Sequence, residues 1–397
     1  MQFRLKYFII IIASINIGCK QVYSPPVISS PSSYLVVEGV INSGSGATII
    51  NLSYTVNLAS KVSLTPVSNA MVSVQSEQNA TYPLTAIGNG KYYTSNLNLN
   101  SSQKYRLVII APNNKNYYSD YVPVLNSPPI DSVYYNFANN NMVISSVTHD
   151  PTNTVQYYRW DYNETWIIHS NYFSYFKTNG DTVLARNLIN DNVYQCWTSD
   201  TSTTILLNST SKLKQAILTN NIITAIPQNS EKLSHRYSIL INQYALTGDA
   251  YNFWTNLKTN TEKLGSIFDA QPTQLHGNIH SLADPTEPVI GYVSVGGVAT
   301  KRVFIDNQQL PNFVFYRGIV GCVIDTFLYR YTPPGGKVVV NQVDEYINYN
   351  KGALYPGYTP LLPFELPGGP ILGYSASTPN CSDCTLRGTN VQPAFWK

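Results

Sequence analysis

The stretch Arg236-Tyr-Ser-Ile-Leu-Ile-Asn-Gln-Tyr-Ala-Leu246, followed by Asp249 to Leu264, decides how this chain is built. Its first eleven residues are rich in β-branched and aromatic side chains and read as a strand. In the second segment Ala250, Trp254, Leu257, Thr261 and Leu264 recur at steps of four and three, which lines one face of a 3.6-residue period. Asp249 is placed to cap the helix, Lys258 and Lys263 lie towards the negative end of its dipole, and Gly265 suits a left-handed cap. Strands are expected again at Gly277-Asn-Ile279, Val289 to Val295 and Arg302 to Ile305. A Trp-bearing helix flanked by strands needs a sheet on which to bury its stripe, so Arg236 to Ile305 is expected to hold the main core.

Upstream, the pattern is short strands at regular spacing. Tyr34 to Ile41, Thr48 to Tyr54, Ala70 to Ser76, Lys91 to Thr94 and Lys104 to Ile110 are separated by Gly, Asn, Ser and Pro, and Ala70 to Ser76 alternates with period two. Gly88-Asn-Gly90 signals a tight turn. These spell an immunoglobulin-like β-sandwich over residues 34–127, closed off by Pro123 to Pro129. Residues 128–397 form a larger β-rich domain. It starts with Ile130 to Tyr135 and Met142 to Val147, carries an aromatic segment from Tyr157 to Ile168, and has one short helix expected at Leu213 to Leu218. Its tail from Leu310 is rich in Pro and Gly (Pro333-Pro-Gly-Gly336, Tyr355-Pro-Gly-Tyr358, Pro367-Gly-Gly-Pro370) and reads as a wrapping excursion held by disulfides. The fold class is therefore mainly β, with one prominent amphipathic helix at about 249–264.

The N-terminus is an address. Arg4 and Lys6 precede a nine-residue apolar run, Tyr7 to Ile15, which falls short of the roughly twenty residues that span a bilayer. Ile17-Gly18-Cys19 follows, the pattern of a bacterial lipoprotein signal. Cleavage after residue 18 would leave Cys19 carrying acyl chains, each buried methylene contributing about 0.8 kcal/mol to anchoring. Residues 19–33 are a Pro/Ser tether. Loss of residues 1–18 leaves 23 basic against 22 acidic side chains, which gives no electrostatic case for nucleic acid. Cys196, Cys322, Cys381 and Cys384 then form an even set in an oxidising compartment and are disulfide candidates. Three pairings are open, and the shortest loop, Cys381 with Cys384, closes at least entropic cost.

Several motifs are similar to one family: Tyr34-Leu-Val-Val-Glu-Gly-Val-Ile41, Pro128-Pro-Ile-Asp-Ser132, Tyr237 to Leu246, Asn278-Ile279 before Pro288-Val-Ile-Gly-Tyr292, and Cys381-Ser-Asp-Cys384-Thr with Gly388-Thr and Pro393-Ala-Phe-Trp396. In order and spacing they resemble the Bacteroidota lipoproteins collected as domain of unknown function 4249. The resemblance implies an outer-membrane accessory partner of a TonB-dependent β-barrel receptor, without carrying over any catalytic or ligand residue. Lys20-Gln21-Val22-Tyr23 lacks the acids that often follow the cysteine in surface-exposed members, the first acid being Glu38. The cell surface is expected, with the periplasmic face left open.

No enzyme motif assembles, and no catalytic residue, cofactor or metal is expected. His276-Gly-Asn-Ile-His280 has helical zinc spacing but sits on turn residues and lacks the metalloprotease glutamate. Cys381-x-x-Cys384 is half a zinc ribbon. Ser209-Thr-Ser-Lys212 lacks its partner motifs. Asp161 and Glu164, three apart on a strand, point to opposite faces. Asn113-Asn114 and Asn139-Asn-Asn141 read as turns. The aromatic run Tyr157, Tyr158, Trp160, Tyr162 and Trp166, with Tyr172 to Phe176 beyond it, supplies either a flat contact surface for a sugar or protein, or sheet core in which Trp160 and Trp166 share a face. The expected function is a non-enzymatic, lipid-anchored capture partner of a receptor. A carbohydrate- or peptide-binding adhesin that works without a transporter is the alternative.

Overall fold

The computed structural model describes residues 33–56, 65–262, 275, 277–348 and 357–397. Cys19, nearly all of the tether, Lys263 to Gly265, His276, Tyr355 and Pro356 lie outside the described residues.

Period-two alternation builds the first sandwich. On Met71–Ser76, Val72 and Val74 are buried while Met71 is exposed. Leu35, Val37 and Ile41 on Leu35–Asn42 and Leu107 and Ile109 on Lys104–Ile110 point into the same core. The sheet path runs Asn116–Ser119, Lys104–Ile110, Met71–Ser76, Thr81–Gly88, Lys91–Thr94, Thr48–Tyr54 and Leu35–Asn42, curling over one cluster of side chains. The Gly88-Asn-Gly90 turn is present, with Asn89 at φ 49°. Asn114, Asn139 and Asn140 also take positive φ in turns, which Asn tolerates better than most residues.

Two strands of this sandwich come from far along the chain. Ile279–Ser281 pairs with Asn116–Ser119, and Ser294–Gly296 lies parallel to Leu35–Asn42. Ile279, Val289, Val293 and Val295 sit in the first core. The division at residue 127 is thus corrected: the first sandwich is completed by residues 279–296. The physical reason is that Leu35–Asn42 and Asn116–Ser119 would otherwise expose unpaired edges. The backbones approach so closely that a Cβ on Gly296 would lie 1.8 Å from the Leu125 carbonyl oxygen.

The second domain is also a sandwich. Ile130–Ala138, Asn141–His149 and Ile217–Pro227 form one sheet, and Gln195–Thr201, Tyr157–His169, Arg236–Leu246 and Ala299–Asp306 form the facing one. Arg236–Leu246 is a central strand, antiparallel to both neighbours. Met142, Ile144, Trp160, Ile223, Ile239 and Ile241 fill the space between the sheets. The short helix expected at Leu213 to Leu218 is absent: Leu213 lies in a turn and Ile217 starts a strand, because pairing with Asn141–His149 outweighs local propensity.

The helix spans Gly248–Glu262. Its cap is Thr247, whose Oγ1 accepts from the Ala250 amide at 3.2 Å, not Asp249, which stands one residue inside. Ala250 and Phe253 are its buried residues, whereas Trp254 and Leu257 of the expected stripe are half-buried and Thr261 is exposed. The helix leaves part of that stripe facing the space between the two sandwiches.

The tail builds more than an excursion. Asp325–Leu328, Ile371–Ser377 and Thr359–Glu365 form a three-stranded sheet over Phe327, Val343, Ile347 and Tyr374, with Phe176 and Val183 packed alongside. The disulfides are Cys196–Cys384 and Cys322–Cys381, with Cα separations of 5.7 and 5.6 Å, so the local Cys381–Cys384 pairing is corrected. Loop-closure entropy describes the unfolded chain. In the folded one, Cys381 ends up in the short helix Pro379–Ser382 and Cys384 in the turn after it, each within reach of a different partner. On the chain-entropy account the 188-residue span contributes about 5 kcal/mol and the 59-residue span about 4 kcal/mol. Replacing Cys196 and Cys384 with Ser is expected to lower the urea-unfolding free energy more than replacing Cys322 and Cys381. The opposite order would contradict this ledger of spans.

Candidate functional site

Between the sandwiches lies a cleft of about 1440 Å³. One wall is the outer face of the first sandwich, where Glu38 and Val40 alternate with buried Val37 and Ile41. The opposite wall comes from strand Tyr157–His169, whose odd positions Arg159, Asp161 and Asn163 face outward while the even positions Tyr158 and Trp160 face the core. Asn242 and Tyr244 come from the central strand, Trp254 and Leu257 from the helix, and Thr201 to Ile205 complete one end.

Arg159 organises this wall. Its guanidinium lies 4.2 Å from the Tyr244 ring centroid and 4.5 Å from that of Trp254. Cation–π contacts of this kind hold the guanidinium in place between the two rings. Arg159 Nη2 stands 3.5 Å from Asp161 Oδ2, and Asp161 Oδ1 accepts from Asn242 Nδ2 at 2.7 Å. Burial, with the Asp161 carboxylate beside it, pushes the Tyr244 phenol well above its ordinary pKa, against the opposing pull of Arg159. The phenol therefore stays protonated at neutral pH. The helix is pinned across the same end: Lys258 Nζ donates to the Ile205 carbonyl at 2.6 Å, and Glu262 Oε1 accepts from the Ile205 amide at 2.6 Å.

The aromatic residues named from the sequence form no exposed platform. Tyr158 and Trp160 are fully buried and stack on each other at 5.6 Å, so both are corrected from contact residues to core. Tyr162 donates from its hydroxyl to Thr224 Oγ1 at 3.1 Å across the sandwich. Half-buried Trp166 carries the Lys232 ammonium 4.8 Å above its ring. Tyr157, half-buried on the outer face, packs on Tyr251 of the helix at 4.9 Å. Even-numbered positions of this strand point inward, and four of the five aromatics are even-numbered. The whole run Arg159 to Asn163 lines the cleft, and its outward-facing positions are the polar ones of one parity, Arg159, Asp161 and Asn163. Asp161 and Glu164 do point to opposite faces: buried Glu164 takes Lys232 Nζ and the Tyr237 hydroxyl, the latter at 2.8 Å.

Residues of two further motifs have local partners. Ser209 Oγ bonds Ser211 Oγ at 2.8 Å in a turn, and His280 Nε2 sits 3.1 Å from Asp120 on a strand. Among the described residues no three His, Cys, Asp or Glu side chains converge to hold a metal.

At the far end of strand Tyr157–His169, His169 packs on His235 with ring centroids 3.7 Å apart. Burial and then the neighbouring His169 push His235 down from 6.5 to about 4. Burial also lowers His169, opposed by its hydrogen bond to Gln195. Between pH 6.5 and about 4 the unfolded chain binds more protons than the folded one at His235, so the stability from its neutral imidazole is lost as pH falls through that window. The free energy of urea unfolding is expected to decline across it, and His235→Gln should flatten the decline. An unchanged slope in that variant would exclude His235 as its source.

A family model described as Domain of unknown function (DUF4249) matches residues 20–302. No curated protein matches the chain. Among solved structures, a two-domain fibronectin type III segment of chicken tenascin is 10% identical, covering 54% of this chain and 93% of that one, with a TM-score of 0.17. Chitinase ChiA74 from Bacillus thuringiensis is 13% identical, covering 46% of this chain and 30% of that one, with a TM-score of 0.15. At these scores neither likeness bears on the fold or the function of the chain.

Proposed function

The chain belongs to the DUF4249 family, and from that premise we propose that it is an outer-membrane lipoprotein, anchored through Cys19, that captures cargo for a TonB-dependent β-barrel receptor and catalyses no reaction itself. The observation that carries this reading is the address: a basic start, a nine-residue apolar run and Ile17-Gly18-Cys19, followed by a Pro/Ser tether. The cleft supports the capture role. It offers aromatic surface, a stacked guanidinium, amides and hydroxyls, a set suited to holding a ligand in a fixed orientation.

The test is extraction of membranes from cells that express the full chain. Wild type is expected in the outer-membrane fraction, with a diacylated, N-acylated Cys19 by mass spectrometry, and a β-barrel receptor should accompany it through gentle detergent purification. Cys19→Ala should release the protein from the membrane fraction. An unmodified N-terminus in a secreted product would overturn the anchor, and a lone monomer after gentle extraction would overturn the receptor partnership.

A further inference from the structure

We propose that the cleft between the sandwiches is a binding site for a neutral oligosaccharide, held by Arg159, Asp161 and Asn242 on one wall. The biological setting rests on the capture reading above; the binding itself does not.

The first ground is the arrangement of donors and acceptors. Asp161 accepts from Asn242 and stands beside Arg159, the Tyr244 phenol engages both, and the Asp161 and Arg159 side chains keep 30% and 16% of their surface open, so a carboxylate adjoins a guanidinium at the cleft. Vicinal sugar hydroxyls each donate and accept, and a pair of them matches an adjacent acceptor and donor. Thr201, Ser202, Thr203 and Thr204 add hydroxyls at the end of the cleft. Because Tyr244 and Trp254 clamp Arg159, much of its ordering cost falls on folding rather than on binding.

Charge and shape argue against an anion and against an extended peptide. Lys91 and Arg159 are outnumbered by Glu38, Asp161 and Glu262 around the cleft, so nothing there concentrates anions. An extended peptide binds most readily by joining an open sheet edge. The first-domain wall is instead the face of Leu35–Asn42, already hydrogen-bonded to Thr48–Tyr54 on one side and Ser294–Gly296 on the other. The volume of about 1440 Å³ exceeds the roughly 300–1,000 Å³ of a small-molecule pocket, which suits several linked sugars.

The experiment uses the full-length lipoprotein in a detergent without a sugar headgroup. Calorimetric titration compares cellohexaose, maltohexaose, xylohexaose and mannohexaose with the acidic hexagalacturonate and with hexa-alanine. At least one neutral hexasaccharide is expected to bind, and both Asp161→Asn and Arg159→Lys should weaken it about tenfold or more. Should either variant lose its urea transition, wild type alone still decides the matter, since the bound sugar must slow amide hydrogen exchange in the Thr201 to Ile205 segment. The proposal is overturned if no neutral hexasaccharide binds at millimolar concentration, if hexagalacturonate or hexa-alanine binds in preference, if folded variants bind like wild type, or if exchange in that segment is unchanged. Receptor co-purification from the same extract is scored separately, so a failure of sugar binding is distinguishable from a failure of the receptor partnership.

Discussion

One buried amide fixes the geometry on which the rest depends. Gln243, fully buried on the central strand, accepts from the Trp160 indole at 2.9 Å and shares its two amide hydrogens among the Pro128 carbonyl at 2.8 Å and Thr148 Oγ1 and Ser127 Oγ, both at 3.1 Å. A side chain so placed has no water to fall back on, so each partner is held by the cost of leaving a polar group unsatisfied. Through it the core tryptophan, the facing sheet and the segment joining the two sandwiches are set relative to one another. The residue that buries this amide lies one position from Asn242 and Tyr244, which open onto the cleft.

Chain crossings reinforce that junction. After Arg236–Leu246 the chain runs through the helix into the first sandwich, supplies two strands there and returns as Ala299–Asp306. Backbone hydrogen bonds follow it: Val37 N to Ile290 O at 2.8 Å, Leu125 N to Val295 O at 2.9 Å and Ser127 N to Gly297 O at 2.9 Å. Both walls of the cleft are thereby tied to one hydrogen-bonded framework, an arrangement that lowers the ordering cost of capturing a ligand.

Much of the architecture was legible in the sequence because β-sandwich strands advertise themselves by alternation. Thr48–Tyr54, Lys91–Thr94 and Lys104–Ile110 stand where the pattern placed them. Ownership of the strands was not legible. Ile279–Ser281 and Ser294–Gly296 look like continuations of the central block, yet they complete the first sandwich, a pairing of high sequence separation that local pattern does not encode. The disulfides escaped for a related reason, since loop length weighs the unfolded chain and says nothing of where Cys196 and Cys322 are carried. For the site, attention to aromatic bulk drew the reading towards Tyr158 and Trp160, which are core. The same strand's parity already marked Arg159, Asp161 and Asn163 as its polar face.

The central claim is that the junction makes the two sandwiches one body with a standing cleft. Native-state amide hydrogen exchange tests it most directly at Leu125, Ser127 and Gly297, whose N–H groups bond between the two segments that link the sandwiches. Protection approaching that of core amides such as Ile50 and Ile241 is the result this account predicts. Exchange at the rate of surface turns, with both cores still protected, would mean that the sandwiches part freely and that no standing cleft exists.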